Sequence, residues 1–513
     1  MIWFLPILCI LVGFITSWGL IPVIRRHSAA LDRSVRGTEF HHSQQQPVSR
    51  FGGLALAVSF VVVSLSLALV LPTGFTSFNT RAAIVIGALA MFGLGFMDDM
   101  RPIGAKLKLF GQIIIASAVY ASGIQVEVFK DPFTGSEFAL GTMSFIATVG
   151  WLVFLTNLVN LIDGIDGLAG GITFMLMCLL ANVGVGVGSA FSTLTAAGMA
   201  GALLGFLCYN FPPAKIYMGD GGAYFLGFLI GLLSITNSQK GTVAAALLAP
   251  LFALAVPIAD VIMAIVRRGL KGLPLFRPDR KHIHHRLLAG GLSSRNAVLV
   301  LYVVSLLCLG LSFGVFWLQG RLLPLLLGTL FFVLVMAARR FGIVKSWSGL
   351  GKAFAMRHET RYALVLAKWL ELEAERQHSL HQLWEDFQFV AGKLRFTEVK
   401  LTLRDDTKLW RAVPAETDAR HLVRARLELH DGMVIEFAAA AGALPGNLFE
   451  LFTELAAESW QKASTRWQKL NQLPLNFAST VAAGDTTFAR RPGQIQLALQ
   501  RDPANDSPGL LQP

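Results

Sequence analysis

Six aspartates at the ends of long apolar segments are the residues best placed to do chemistry. Asp98 and Asp99 close one apolar stretch, Asp163 and Asp166 follow a second, Asp220 follows a third, and Asp260 lies near the end of a fourth. The run Asn160-Leu161-Ile162-Asp163-Gly164-Ile165-Asp166-Gly167-Leu168 sets three oxygen-bearing side chains three residues apart and is broken by two glycines. Such glycines permit positive φ and close backbone approach, so oxygens and amides can converge on one ligand. Tyr217-Met218-Gly219-Asp220-Gly221-Gly222 again places an acid between glycines just before a helix. A helix start with unpaired amides attracts phosphate, and a carboxylate beside it attracts the metal that accompanies phosphate. Any one of these acids taken alone reads as a solvated group at a helix end. Together they point to a cation and phosphate site.

A basic element accompanies them: Arg277-Pro278-Asp279-Arg280-Lys281-His282-Ile283-His284-His285-Arg286. Three histidines in four residues suggest zinc, but no cysteine lies nearby and the surrounding Arg and Lys repel a cation. The group suits a pyrophosphate, because Arg offers bidentate donors and His can donate from either nitrogen. Lys106 follows the first acid pair, with Gln112 beyond it. Charge alone favours Lys106 as an interfacial anchor of its helix over a phosphate contact.

The elements that must hold these groups are membrane helices. Of 513 residues, 54% are hydrophobic and only 15% charged, and the mean hydropathy is +0.57, well above a soluble domain. A hydrocarbon core about 30 Å thick needs about 20 apolar residues per helix. Eleven such spans are expected: 2–24, 52–72, 80–97, 108–125, 143–161, 168–188, 191–211, 222–236, 242–266, 296–318 and 322–338. The first has no basic stretch ahead of it and reads as a retained helix. Lys and Arg crowd one set of loops, among them Arg25, Arg26, Arg50, Arg101, Lys215 and the stretch from Arg267 to Arg295. The other set holds little beyond Lys130, Lys240, Arg321 and Arg81. This asymmetry puts the N-terminus outside and the C-terminal third in the cytoplasm. All six aspartates then share the inner side. Buried at mid-bilayer, they would cost roughly 15 to 20 kcal/mol, more than the roughly 5 to 15 kcal/mol that stabilises a domain. They must therefore sit at the inner interface, in a hydrated cleft or around a cation. The net charge of +12 is mostly this topology signal, and nucleic acid is not needed as a partner.

Cys9, Cys178, Cys208 and Cys308 all fall in apolar spans and imply neither a disulfide framework nor a zinc site. Residues 126–142 read as a short outer hairpin. Beyond the spans the composition changes. Arg361–Leu394 reads as a long amphipathic helix, Val399–Leu403, Ala425–Leu429 and Met433–Phe437 as strands, and Asn447–Leu470 as a helix. The expected organisation is a transmembrane region 1–345, a small cytoplasmic α+β domain 346–475 and a disordered tail 476–513. The fold class is an all-α polytopic membrane protein of about eleven transmembrane helices carrying that domain.

The motifs resemble those of the polyprenyl-phosphate N-acetylhexosamine-1-phosphate transferases, the family that also contains the phospho-N-acetylmuramoyl-pentapeptide transferase. Asp98-Asp99 with Lys106, the Asn160–Leu168 run, the Met218–Gly221 run and His282-Ile283-His284-His285 occur in the family's order over about residues 1 to 340. Pro47, Arg50, Gly52 and Gly53 resemble its first inner loop, although Gln44 stands where a histidine is expected and His41 and His42 lie upstream. The resemblance implies Mg²⁺ (or Mn²⁺), a uridine diphosphate (UDP) amino-sugar donor, an undecaprenyl phosphate acceptor and a bacterial inner-membrane enzyme with a cytoplasmic active site. It assigns the metal to Asp220 with Asn160 and the acceptor phosphate to Asp98 or Asp99, with Asp163 and Asp166 in the catalytic set. Lys106, His282, His284, His285 and Arg286 would bind the donor pyrophosphate. The Pro-Asp-Arg-x-His-Ile-His-His form is similar to the hexosamine branch rather than the pentapeptide branch. A homodimer is compatible with the sequence but not required by it.

An ion-coupled transporter is the rival class. Its sites lie near the bilayer midplane between repeats, whereas these acids gather at one surface and no repeat is visible.

Overall fold

In the computed structural model, the described residues are 4–35, 48–71, 77–130, 136–238, 291–317, 348–403, 406–412, 422–429 and 432–475, with isolated positions between 251 and 273 and at 328, 332 and 477. The chain divides into two compact units, Met1–Gly269 with Pro274–Gly349, and Leu270–Leu273 with Leu350–Pro513.

In the first unit the long apolar runs become helices: α1 (Phe4–Val35), α2 (Gly52–Val70), α3 (Phe78–Met100), α4 (Ala105–Ala121), α5 (Met143–Ile162), α6 (Leu168–Gly186), α7 (Ala190–Asn210), α8 (Gly219–Ser238) and α9 (Ser294–Trp317). Among the described residues, eight helices are long and apolar enough to cross a membrane, so the chain is a multi-pass membrane protein. The fourth expected span corresponds to α4, which at 17 residues is shorter than these. The ninth lies largely, and the eleventh almost wholly, outside the described residues.

A helix apolar on every side can face either lipid or protein, and α8 is enclosed by protein: it packs against α2, α3, α5 and α6. Phe225, Phe228, Leu229 and Leu232 are fully buried within it. Helix α1 crosses α7 and α2. The Ser77 side chain caps α3 by accepting from the Thr80 amide at 3.2 Å. Between α4 and α5, the expected hairpin is present as antiparallel β1 (Val128–Lys130) and β2 (Glu137–Ala139), with Phe129 opposite Phe138.

The second unit contains α10 (Ser348–Glu373), α11 (Leu380–Lys393), β3 (Glu398–Thr402), β4 (Thr407–Arg411), β5 (Leu422–Glu428), β6 (Val434–Ala440) and α12 (Gly446–Asn471). The single helix expected over 361–394 is broken, and Ser379 starts the second part by accepting from the Gln382 amide. The strands form an antiparallel sheet in the order β4-β3-β6-β5. Val399, Leu401, Ile435 and Phe437 are buried with Phe387, Phe396, Trp460 and Trp467. Strand β4 was not expected from sequence. The region expected to be a disordered tail lies outside the described residues apart from Phe477, which is buried in this core.

Candidate active site

Four helices bring polar groups to one end of the first unit. Helix α3 ends with Asp98 and Asp99, α4 begins beside Lys108, α5 closes with Asn160 before Asp163, and α8 starts at Gly219 and Asp220. The Lys108 ammonium bridges the carboxylates of Asp98 and Asp220, the latter at 3.3 Å. The Asn160 amide donates to the other Asp220 oxygen at 3.0 Å. Asp98 also accepts from the Ile103 amide at 2.7 Å, which fixes the turn between α3 and α4. One basic group thus joins two acids 122 residues apart in sequence, and an amide 60 residues before the second secures it.

Adjacent residues on a helix point about 100° apart, so the two acids of the Asp98-Asp99 pair divide their work. Asp99 turns away from Lys108, and its two oxygens accept the main-chain N–H groups of Asp220 and Gly221, each at 2.9 Å. The first amides of a helix have no partner within it. A carboxylate from a second helix supplies one here and favours the positive end of the α8 dipole. Gly219 makes this possible. Its φ is +75°, and a Cβ there would lie 2.3 Å from the Arg50 carbonyl oxygen and 2.7 Å from an Asp99 oxygen.

Asp163 and Asp166 behave differently from each other. Asp166 accepts from the Ala214 amide at 2.9 Å and ties its loop to the α7–α8 connection. Asn210 donates to the Ile216 carbonyl and accepts from the Gly167 amide, and the Tyr302 hydroxyl donates to the Gly167 carbonyl at 2.5 Å. The loop is thereby held from three sides. The Asp163 amide donates to the Asn160 carbonyl at 3.2 Å, but its carboxyl makes no hydrogen bond among the described residues. The crowding of protein around this half-buried carboxyl raises it well above the usual carboxylate range. The charges of Asp220, Asp99 and Asp166 add to the effect, and Arg50 opposes it.

The residues of the resemblance are thus partly gathered: Asp98, Asp99, Asn160, Asp163 and Asp220 meet, and Asp166 secures the same loop. Lys106 is exposed, and the lysine inside the cluster is Lys108. Helical phase carried that signal, since Lys108 shares a face with the buried Gln112, Ala116 and Val119, whereas Lys106 points elsewhere. Sequence reasoning also missed Asn157, which exchanges hydrogen bonds with Gln112, together with Asn210 and Tyr302. His282, His284, His285, Arg286 and Asp260 lie outside the described residues, as do His41, His42, Gln44 and Pro47.

Hard oxygen donors suit Mg²⁺, which uses one or two carboxylates and keeps its other positions for water and phosphate. Asp220 and Asn160 are adjacent, and an ammonium already bridges Asp220 to Asp98, so these residues fit such an ion. Among the described residues no three His, Cys, Asp or Glu groups are gathered to hold a metal by themselves. The arrangement can hold a cation, and through it phosphoryl groups, at the end of a membrane bundle.

The family profile of glycosyl transferase family 4 matches residues 81–238, the stretch that supplies Asp98, Lys108, Asn160 and Asp220. The chain is 34% identical over 298 residues to a Bacillus subtilis protein named "Probable undecaprenyl-phosphate N-acetylglucosaminyl 1-phosphate transferase", covering 58% of this chain and 81% of that protein. It is 32% identical over 341 residues to the decaprenyl-phosphate N-acetylglucosaminephosphotransferase of Mycolicibacterium smegmatis, covering 61% and 81%. It is 28% identical over 337 residues to the phospho-N-acetylmuramoyl-pentapeptide-transferase of Staphylococcus carnosus, covering 61% and 100%. These alignments cover no more than 61% of this chain. The gathered acids, the membrane helices and this similarity agree: the chain belongs to glycosyl transferase family 4, the polyprenyl-phosphate N-acetylhexosamine-1-phosphate transferases, and is a membrane sugar-phosphate transferase.

Proposed function

We propose that the protein transfers an N-acetylhexosamine 1-phosphate, N-acetylglucosamine 1-phosphate or that of a related amino sugar, from a UDP-sugar to undecaprenyl phosphate, releasing UMP. This would start a lipid-linked cell-envelope glycan. The observation that carries the reading is the meeting of Asp98, Lys108, Asn160 and Asp220 from four helices. The relatives named for N-acetylglucosamine and for undecaprenyl or decaprenyl phosphate support the sugar and the acceptor. The excess of Lys and Arg on the loops at this end supports a cytoplasmic site.

An acceptor phosphate oxygen attacks the sugar-bearing phosphorus. The new P–O bond forms as the bond to UMP breaks, and the sugar–oxygen bond is untouched. A phosphate monoester with a second pKa near 6 is mostly dianionic at neutral pH, so no proton needs to be removed. Asp98 therefore serves by holding Lys108, and Asn160 and Lys108 fix the two oxygens of Asp220. Asp220 with Asn160 would hold Mg²⁺ or Mn²⁺, which would neutralise charge on the phosphoryl oxygens. Asp99 and Asp166 act on the backbone, keeping the start of α8 and the 163–167 loop in place.

The test is UMP release by purified protein given undecaprenyl phosphate and a panel of labelled UDP-sugars. Release from UDP-N-acetylhexosamines only is expected. Release only from UDP-N-acetylmuramoyl-pentapeptide would move the protein to the other branch, and no release from any donor would overturn the reaction.

A further inference from the structure

The segment ahead of α2 is a buried tether that presents one cation. The Tyr217 amide donates to the Ser49 carbonyl at 2.7 Å, Gly52 donates to the Tyr217 carbonyl at 2.9 Å, and Gly53 donates to the Met218 carbonyl at 2.9 Å. These main-chain bonds fix residues 49–53 against the approach to α8. Their register cannot slip, because a Cβ on Gly53 would lie 2.4 Å from the Gly222 nitrogen. Ser49, Phe51, Gly52 and Gly53 are buried, and Arg50 alone is exposed.

Placement gives this arginine meaning. Its carbonyl lies directly against Gly219, one residue before Asp220, and its charge favours the ionised form of Asp163, against the effect of burial and the neighbouring acids. Among the described residues it forms no ion pair, whereas Lys108 is committed to Asp98 and Asp220. A pocket with several carboxylates repels anionic reactants, and the reaction proposed above must seat two of them. A guanidinium offers a planar pair of donors that matches phosphoryl oxygens. Mounted on a fixed backbone, it loses no main-chain freedom when it binds.

We propose that Arg50 contacts phosphate, gripping phosphoryl oxygens of a reactant drawn against Asp98, Asp163 and Asp220. The inference rests on the transfer reaction above, and the shared chemistry is a phosphoryl anion supplied by either the donor diphosphate or the polyprenyl phosphate.

The experiment compares full-length wild type with Arg50→Gln and Arg50→Lys. KM is measured separately for the UDP-sugar and for undecaprenyl phosphate, and the unliganded thermal midpoint is recorded for each protein. In Arg50→Gln one KM should rise roughly ten- to a hundred-fold, the loss of a charge-assisted hydrogen bond, with an unchanged midpoint. Arg50→Lys should fall between, because it keeps the charge and loses the fork. The KM that moves identifies the reactant. Unchanged KM values, a loss confined to kcat, or a loss that tracks a lowered unliganded midpoint would overturn the proposal. Thermal stabilisation by UDP and by a short polyprenyl phosphate reads the same contact without turnover. If wild type releases no UMP from any donor, the transfer reaction has failed. The contact then stands or falls on whether one of these probes stabilises wild type and not Arg50→Gln.

Discussion

Asp98 and Asp99 are chemically identical neighbours, and the structure predicts that replacing them has unlike consequences. In Asp99→Asn one amide oxygen can still accept from Asp220 or Gly221, but the other helix N–H then faces an NH₂ group. The variant loses one charge-assisted hydrogen bond, about 1.5–3 kcal/mol. It also loses the favourable charge at the start of α8, about 0.3–1 kcal/mol. The sum is about 2–4 kcal/mol, which at about 2–4 °C per kcal/mol lowers the unfolding midpoint by roughly 5 to 15 °C. Activity falls with it, because Asp220 is carried on the loosened turn. In Asp98→Asn the amide oxygen can keep the bond from Ile103, and Lys108 retains Asp220. Stability should therefore drop less than in Asp99→Asn, because both Lys108 and the Ile103 amide keep a partner, while turnover collapses. Both are checked on detergent-solubilised protein, by the temperature at which the monodisperse gel-filtration peak is lost and by UMP release. The pH profile adds a discriminator: if Asp98 only positions Lys108, the Asp98→Asn loss is independent of pH, whereas a lost base would be relieved at higher pH. An Asp99→Asn protein with the wild-type midpoint, or an Asp98→Asn protein less stable than it, would refute the assignment of the cap.

Further expectations concern charge and metal. Lys108→Met should slow transfer by at least about a hundredfold, since it leaves Asp98 and Asp220 unpaired, while Lys106→Met should change it by less than about threefold, as for an exposed residue; equal losses in kcat would show that the two lysines share the work. In metal-free protein, the folded state holds the Asp163 proton to higher pH than the unfolded state does. Wild type then loses stability as pH rises past the ordinary carboxylate pKa of about 4. Asp163→Asn should match wild type near that pH and melt higher at pH 8, and identical melting at both would sink this reading. Chelation with EDTA should abolish UMP release and excess Mg²⁺ or Mn²⁺ should restore it; chelator-resistant turnover would remove the metal from the mechanism.

The acids were legible in sequence because their placement at the ends of apolar runs is costly unless they share a task. The brackets of glycine around Asp220 were legible for the same reason. The choice between Lys106 and Lys108 was open to helical phase, because only Lys108 aligns with Gln112, Ala116 and Val119. The role of Asp99 was not legible: its partners lie 121 and 122 residues away, and an acid that accepts main-chain amides leaves no side-chain pattern. Asn210 and Tyr302 were hidden likewise, since both act on the backbone of Gly167. In the second unit, β3, β5 and β6 were visible through alternation. Strand β4 was not, because Thr407–Arg411 is an edge strand with largely uncovered side chains. The break between α10 and α11 was marked only by the weak cap Ser379.

The hydrogen bonds at Tyr217, Met218, Asp220 and Gly221 bear on biosynthesis. Ser49, Gly52, Gly53, Asp99, Lys108 and Asn160 all find their partners in this one short stretch. During synthesis the ribosome delivers the earlier helices roughly 3 to 35 seconds before it, at about 5–20 residues per second. Until then the Asp99 carboxylate lacks its two main-chain donors, although Asp98 already has Lys108 and the Ile103 amide. A chain that stalls before residue 222 leaves a bundle whose polar rim is unmatched, and this is the form a membrane quality-control protease would meet.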